Sequence, residues 1–393
     1  MAQATEDTGA GEASLASCSA CWFRSDSFSL WGALQFLKVE YESGIAVAVR
    51  PGLARRAFPY VRSVAQLALA GALLAGLLWR VDLAAVRDEL KGATLWWLPL
   101  AFAANLGSDW FRAIRWQQFF APMKRLGVPF LFAVAVLGVA TNLVLPLRAG
   151  EVVRVQVLRR RTGLKVSSIV ATLLSEKLMD IVAFSTFIIL GIILYEDAHF
   201  LWPLAVAYGC LLTVGIAGAR WLAGRSQREP APEPATSSGL TGLRQWSRHE
   251  THWLGVGLAG FRSPRAVVYV LAASVAAWLC EALMYYACGR ALGLDVSPVV
   301  YLLVVVAATI AVSVPITQAG LGVFELAIAG LLVAFGVDET QAAAFAIFSH
   351  VMLALPYFAA GPLAAVALRL NISDILFMRL DKTGPVKAVA TEA

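Results

Sequence analysis

Two polar stretches interrupt the apolar sequence of this chain: NLVLPLRAGEVVR at residues 142–154 and PITQAGLGVFE at residues 315–325. Each breaks a hydrophobic helix, the first at Pro146 and the second at Pro315. Proline removes a backbone donor and glycine gives up side-chain packing, so a break at membrane depth is tolerated only where protein or a wet cavity satisfies the freed backbone groups. Each stretch is therefore predicted to be the tip of a helical hairpin and a candidate site.

The composition places the chain among integral membrane proteins. Of its 393 residues, 59% are hydrophobic and only 15% are charged, which is too little polar sequence to cover a soluble globule of this size. The five cysteines and four histidines form no metal-ligand grouping, so the sequence predicts no disulfide framework, no metal site and no cofactor. The net charge of +6 matters through its distribution over the loops, because basic residues near span ends set the orientation of the chain. Nucleic acid is not an expected partner.

The predicted fold is an all-α polytopic membrane protein with about six full spans and two re-entrant helical hairpins. A competing interpretation makes the first hairpin a pair of full spans, because its first arm is long enough to cross the membrane. Arg112, Arg115 and Trp116 are expected to anchor the end of the second span at the headgroup level. The six full spans are expected at about 61–79, 95–111, 166–194, 201–222, 266–287 and 342–368.

The spacing of polar residues predicts an internal repeat. Glu151 is followed 25 residues later by Glu176, and Glu325 is followed at the same interval by His350. Two halves offset by about 170 residues are typical of transporter folds, whereas chance similarity between apolar segments is the alternative.

The predicted domains are an N-terminal disordered or interfacial segment at 1–55, a transmembrane domain at 56–372 and a cytoplasmic tail at 373–393. Within the transmembrane domain, repeat one is expected at about 95–195, a cytoplasmic loop at about 225–265 and repeat two at about 266–368.

Basic residues near span ends predict the orientation of the halves. If the N-terminus is cytoplasmic and both broken stretches are re-entrant, most basic clusters fall on one side of the membrane. The acidic pair Asp338 and Glu339 then falls on the other side. The two hairpins enter from opposite faces, so the repeats are predicted to be inverted, with both termini in the cytoplasm and the chain in the cell (inner) membrane.

Hairpins that enter from opposite faces bring their tips together near the membrane midplane. Helices that restart after Gly150 and Gly322 direct N-terminal amides there, where a phosphate or carboxylate is favoured, and Arg148 and Arg154 add a charge-assisted grip. The predicted substrate-binding residues are Asn142, Arg148, Gly150, Glu151, Arg154, Gln318, Gly320, Gly322 and Glu325.

Ionisable residues at membrane depth are costly unless they are paired or wet, which makes them functional candidates. A structural interpretation stays open, because a carboxylate in a first helical turn favours the helix dipole and Arg148–Glu151 or Lys177–Asp180 could be ion pairs. Asp109, Glu281 and His350 are first interpreted as satisfied polar residues between helices. The candidates for coupling or ion pairing are Glu176, Lys177, Asp180 and His350.

These motifs resemble those of the lysylphosphatidylglycerol synthase transmembrane, or flippase-like, family. The resemblance rests on the stretch from Asn142 to Arg154, on Ser175-Glu176-Lys177 with Asp180, and on the stretch from Pro315 to Glu325, and it covers about 61–369. It implies a polytopic domain with two re-entrant hairpins that moves a lipid between leaflets. The chain departs from the family at residues 318–320, where members tend to have Pro-Gly-Gly, and at residue 350, where arginine is frequent. The fused aminoacyltransferase domain of the family is not expected here, so the chain should not synthesise lysyl-lipid by itself.

The predicted function is a flippase-type transporter of a membrane phospholipid or lipid-linked substrate with an anionic headgroup. The headgroup is expected to cross between the hairpin tips while the acyl chains stay in lipid. One alternative is a membrane-embedded lipid-modifying transferase, for which the sequence offers no catalytic constellation. Another is a non-catalytic partner of a separate lipid or cell-envelope synthase.

Overall fold

A computed structural model describes residues 66, 68–79, 82–145, 148–195, 198–228, 264–313 and 317–371. These residues belong to one compact unit, Pro59–Ala393. Pro146, Pro315, the N-terminal segment, most of the predicted loop at 225–265 and the tail lie outside the described residues. Within the described ranges the regular elements are helical: α1 Ala68–Trp79, α2 Leu83–Lys91, α3 Leu98–Phe120, α4 Val128–Val144, α5 Ala149–Thr162, α6 Val166–Leu194, α7 Trp202–Arg228, α8 Pro264–Ala291, α9 Pro298–Ser313, α10 Val323–Ala334 and α11 Glu339–Ala367.

Four of the long helices are apolar enough to cross a membrane, and the 23-residue α3 is not among them. By length and hydropathy, four stretches of the described chain qualify, and a fifth qualifies if α1 and α2, which are bent by 90° to each other, count as one broken span. The four are Val166–Leu194, Ala198–Trp221, Arg265–Ala291 and Glu339–Ala367. The chain is therefore a multi-pass membrane protein, and the count of six full spans stays a prediction.

The expected end of the second span is wrong. Helix α3 does not end at about residue 111 but continues to Phe120, and Arg115 and Trp116 are each only 1% exposed. Arg115 lies between carboxylates of α6, and Arg112 pairs with Glu281 of α8. Because their charges are compensated inside the bundle, these arginines do not act as loop charges that set the orientation of the chain.

The order and lengths of the helices recur along the chain. A first arm of 17 residues, α4, precedes the 14-residue α5 and the 29-residue α6. Later, the 16-residue α9 precedes the 12-residue α10 and the 29-residue α11. Packing between the two sets is reciprocal, because α4 packs on α11 while α9 packs on α6, and the preceding helices α3 and α8 pack along each other.

Two glycines allow the arms of the first hairpin to cross closely. A Cβ on Gly150 would lie 1.9 Å from the carbonyl oxygen of Gly138, and a Cβ on Gly138 would lie 2.5 Å from the side chain of Arg154. The Gly150 amide donates to Asn142 Oδ1 at 2.7 Å. Small residues at such a crossing are what close helix packing in a membrane requires, so α5 can begin beside α4 only with glycine at position 150.

We predict that Gly150→Ala destabilises the protein by about 1–3 kcal/mol, because the added methyl group has no room beside α4. Its matched control is Gly330→Ala in α10, where a Cβ would meet nothing within 4 Å, so stability should be unchanged or slightly higher. Thermal unfolding of the purified variants in detergent measures both effects. Equal melting temperatures for the two variants would contradict the close crossing.

Candidate functional site

A polar cavity of about 210 Å³ lies where the two hairpin tips meet. Of the sequence-predicted residues, those that line it are Asn142, Arg148, Glu151, Arg154, Glu176, Lys177, Gln318, Gly320 and His350. Gly150, Asp180, Gly322 and Glu325 do not line the cavity and instead support the residues that do. The predicted breaks Pro146 and Pro315 lie outside the described residues.

The two tips exchange hydrogen bonds reciprocally. Arg148, at the start of α5, donates from Nη1 to the backbone oxygen of Ser313 at the end of α9, at 2.7 Å. Gln318 of the second tip donates from Nε2 to the backbone oxygens at the end of α4, those of Asn142, Leu143 and Leu145, at 3.1–3.4 Å. Each side chain therefore satisfies carbonyl groups that the other broken helix leaves without an intrahelical partner.

Both tips also hold a non-glycine residue in the left-handed region. Arg148 has φ 54° and Ala319 has φ 53°, a conformation that is uncommon for residues with a Cβ and that clusters at functional sites. Arg148 is 31% exposed at its side chain and lines the cavity. The strained backbone thus presents a guanidinium at the point where the halves meet.

Arg154 forms the basic wall of the cavity together with two carboxylates. Its guanidinium contacts Glu151 at 3.3 Å and Glu176 at 3.0 Å and lies 4.3 Å from the centre of the Trp116 ring. Arg148 also approaches Glu151, at 3.6 Å. The sequence left open whether these residues bind substrate or pair with one another, and in this conformation they are paired.

A second layer of charge lies behind Glu176. Arg115 contacts Asp180 at 3.0 Å and Glu176 at 3.6 Å and donates to the hydroxyl of Ser274 at 3.3 Å. Lys177 approaches Asp180 at 3.6 Å, as the structural alternative expected. Asp180 therefore contacts Arg115, which in turn supports Glu176 at the cavity wall. Sequence reasoning missed this role of Arg115 because it treated the residue as an interfacial anchor.

The second hairpin is organised around Glu325. One carboxylate oxygen accepts from the Gly322 amide at 2.7 Å, and the other lies 2.7 Å from Nδ1 of His350. The His350 ring stacks on Phe324 at 4.1 Å and lines the cavity. Glu325 is only 3% exposed, so it links the tip of α10 to a histidine that faces the cavity.

The helix N-termini carry side-chain partners in this conformation. The Gly150 amide donates to Asn142, and the Gly322 amide donates to Glu325. An anion in the cavity therefore meets the guanidinium groups of Arg148 and Arg154 before it meets these two amides.

The opposite wall of the cavity was not singled out as a site in the sequence. Residues 105, 108, 109 and 112 lie at helical spacing on one face of α3 and all line the cavity. Arg112 pairs with Glu281 of α8, and its guanidinium lies 4.3 Å from the centre of the Trp278 ring. This polar stripe, Asn105-Ser108-Asp109-Arg112, is the sequence signal that could have revealed the wall. No group of three potential metal ligands occurs in the described ranges.

We predict that Arg115→Met destabilises the protein by about 3–5 kcal/mol, because it removes the buried cation nearest to Asp180 and one of the two cations beside Glu176. The double variant Arg115→Met/Asp180→Leu should recover part of this loss, since an apolar pair can replace a buried ion pair. Arg87→Met, at an exposed ion pair with Asp88, is the control and should leave stability nearly unchanged. Thermal unfolding in detergent measures these three and the single variant Asp180→Leu, and a double variant that loses the sum of the two single losses would contradict the pairing.

The chain matches the lysylphosphatidylglycerol synthase transmembrane region over residues 63–361. It is also 22% identical over 277 residues to a UPF0104 membrane protein of Methanothermobacter thermautotrophicus, and this alignment covers 65% of the chain and 79% of that protein. The family match includes both hairpins and the whole lining of the cavity. The chain therefore belongs to the lysylphosphatidylglycerol synthase transmembrane family of multi-pass membrane proteins.

Proposed function

We propose that this protein is a flippase-type transporter, and not an enzyme, that moves an anionic or lipid-linked headgroup between the leaflets of the cell (inner) membrane. The observation that carries the proposal is the reciprocal contact of two broken-helix tips around one polar cavity. Broken helices whose ends meet inside a bundle are how transporters build substrate sites near the midplane. Arg148 and Arg154 line the cavity and supply donors for a phosphate.

The size of the cavity favours a headgroup over a whole lipid. Its volume of about 210 Å³ lies below the roughly 300–1,000 Å³ of pockets that enclose drug-sized ligands. The acyl chains therefore stay in the surrounding lipid while the headgroup passes the tips. When the headgroup phosphate enters, Arg148 and Arg154 contact the phosphate in place of their carboxylate partners Glu151 and Glu176.

The lengths of the arms support re-entrant hairpins in an inverted repeat. The 17-residue α4 and the 16-residue α9 extend about 26 Å and about 24 Å, short of the roughly 30 Å hydrocarbon core. Reciprocal packing of α4 on α11 and of α9 on α6 is what a pseudo-two-fold relation between halves produces. In the proposed arrangement, six full spans surround the hairpins and both termini are cytoplasmic.

We predict that Arg148→Gln slows flipping of phosphatidylglycerol about ten-fold to a hundred-fold, because it removes a charged donor worth about 1.5–3 kcal/mol. Proteoliposomes with a fluorescent phosphatidylglycerol, bleached from outside, measure the rate. The matched control is Arg87→Gln, which removes an exposed charge outside the cavity and should flip at the wild-type rate.

Two results would contradict the assignment. One is an Arg148→Gln protein that melts and flips as the wild type does. The other is a wild-type protein that does not accelerate lipid exchange above protein-free liposomes.

We predict that topology reporters fused at Arg160 and at Asp338 report opposite sides of the membrane. Arg160 lies in the last turn of α5, and Asp338 lies at the start of α11, so the two positions follow the second arms of the two hairpins. Cysteine accessibility in intact cells checks the same positions without a fusion. Finding both on one side would exclude the inverted arrangement.

A further inference from the structure

We propose that Asp109 carries a proton in this structure and exchanges it with the cavity, which couples translocation of an anionic headgroup to proton movement. The coupling rests on the proposed function, whereas the protonation does not. A chain of hydrogen bonds on the α3 wall of the cavity, from Asn105 through Tyr357 to Asp109, lacks one proton unless Asp109 is protonated.

The chain begins at a proline in a membrane-spanning helix. Pro356 lies inside α11 and has no N–H for the carbonyl group of Met352, four residues earlier. Asn105 of α3 donates from Nδ2 to the backbone oxygens of Met352 at 3.4 Å and Leu353 at 3.0 Å. The amide of Asn105 is thereby oriented, because its Oδ1 in the same place would face two carbonyl oxygens.

The oriented Oδ1 of Asn105 lies 3.1 Å from the hydroxyl oxygen of Tyr357, and that same hydroxyl oxygen lies 2.7 Å from Oδ2 of Asp109. A tyrosine hydroxyl has one proton to donate, and an amide oxygen can only accept. If Asp109 were ionised, two acceptors would compete for this proton and one short contact would join two oxygens without a hydrogen. A protonated Asp109 completes the chain: Asp109 donates to Tyr357, Tyr357 donates to Asn105, and Asn105 donates to the carbonyl groups of Met352 and Leu353.

The ion pairs of the cavity also favour a protonated Asp109. Among the described residues, Glu151, Glu176 and Glu281 line the cavity and each has an arginine partner within 4 Å. Asp109 lines the same cavity and has no ion pair there. An unpaired buried carboxylate is costly in its charged form, so the neutral acid is the favoured form at this position.

The charged neighbours of Asp109 come from several helices. Arg112 lies one turn along α3, Glu281 on α8, Arg154 on α5, Glu176 on α6 and His350 on α11. Both arginines are already paired, Arg112 with Glu281 and Arg154 with Glu176. Among the described residues, neither guanidinium lies within 4 Å of the Asp109 carboxyl group, so neither forms an ion pair with it.

Access to the cavity makes the proton exchangeable. When Asp109 releases its proton, the Tyr357 hydroxyl donates to the Asp109 carboxylate and no longer to Asn105 Oδ1. The wall of the cavity then carries a negative charge. That charge repels an anionic headgroup, whereas the protonated wall admits it. A proton and a monovalent anionic headgroup consequently cross together, and their joint movement transfers no net charge.

Infrared difference spectroscopy tests the protonation independently of transport. Wild-type protein in nanodiscs should show, near neutral pH, the carbonyl-stretch band of a protonated carboxylic acid, and Asp109→Asn should lack it. Tyr357→Phe should keep the band at a higher frequency, because the acid loses its acceptor. Glu89→Gln, at an exposed carboxylate, should leave the band unchanged. A wild-type spectrum without this band, or a band that persists in Asp109→Asn, would overturn the protonation.

Flipping of phosphatidylglycerol under a pH gradient tests the coupling. One proton per lipid predicts that a gradient of one pH unit shifts the steady-state leaflet ratio about tenfold, with lipid accumulating on the more alkaline side. Flipping by Asp109→Asn should ignore the gradient, whereas Glu89→Gln should respond as the wild type does. Wild-type flipping that ignores the gradient would overturn the coupling and leave the flippase assignment intact. Absence of flipping by the wild type would overturn both the coupling and the flippase assignment. The infrared band would still decide whether Asp109 is protonated.

Discussion

The backbone carbonyls at the ends of the two broken helices constrain this structure most directly. A carbonyl without a partner at membrane depth costs several kcal/mol, and the ends of α4 and α9 provide such groups. Gln318 satisfies those of α4, and Arg148 satisfies that of α9. Because each donor comes from the other half of the chain, neither hairpin is complete by itself. The same requirement recurs at Pro356, where Asn105 of a neighbouring helix donates to the carbonyl group of Met352.

Charge in the bundle is arranged in layers behind these contacts. Arg154 faces the cavity and is held by Glu151 and Glu176, and Arg115 supports Glu176 from behind. These ion pairs hold the side chains that line the cavity in position. Against this background of compensated pairs, Asp109 is distinguished by its hydrogen-bond chain, and the two kinds of wall suit the two proposed tasks of holding an anion and carrying a proton.

Much of the architecture is predictable from the sequence, and the reasons are local. Pro129 and Pro298, the glycines after each break and the equal spacing of Glu151–Glu176 and Glu325–His350 predict two sets of arm, tip and long helix, and the helices recur in that order. The end of α3 was predicted wrongly because Arg112 and Arg115 look like interfacial anchors until their carboxylate partners are known. The partners Glu176, Asp180 and Glu281 all lie more than about 60 residues away in sequence, beyond the reach of any local pattern.

The sequence by itself determined that this is a membrane protein with two polar interruptions, because hydropathy and helix-breaking residues act within a few turns of helix. It also indicated nine of the residues that line the cavity. Only the tertiary structure decided which of them face the cavity and which support it, that Glu325 contacts His350, and that Asp109, Tyr357 and Asn105 join in one hydrogen-bond chain. Those outcomes depend on distances between helices far apart in the chain, and such distances follow from how the whole bundle packs.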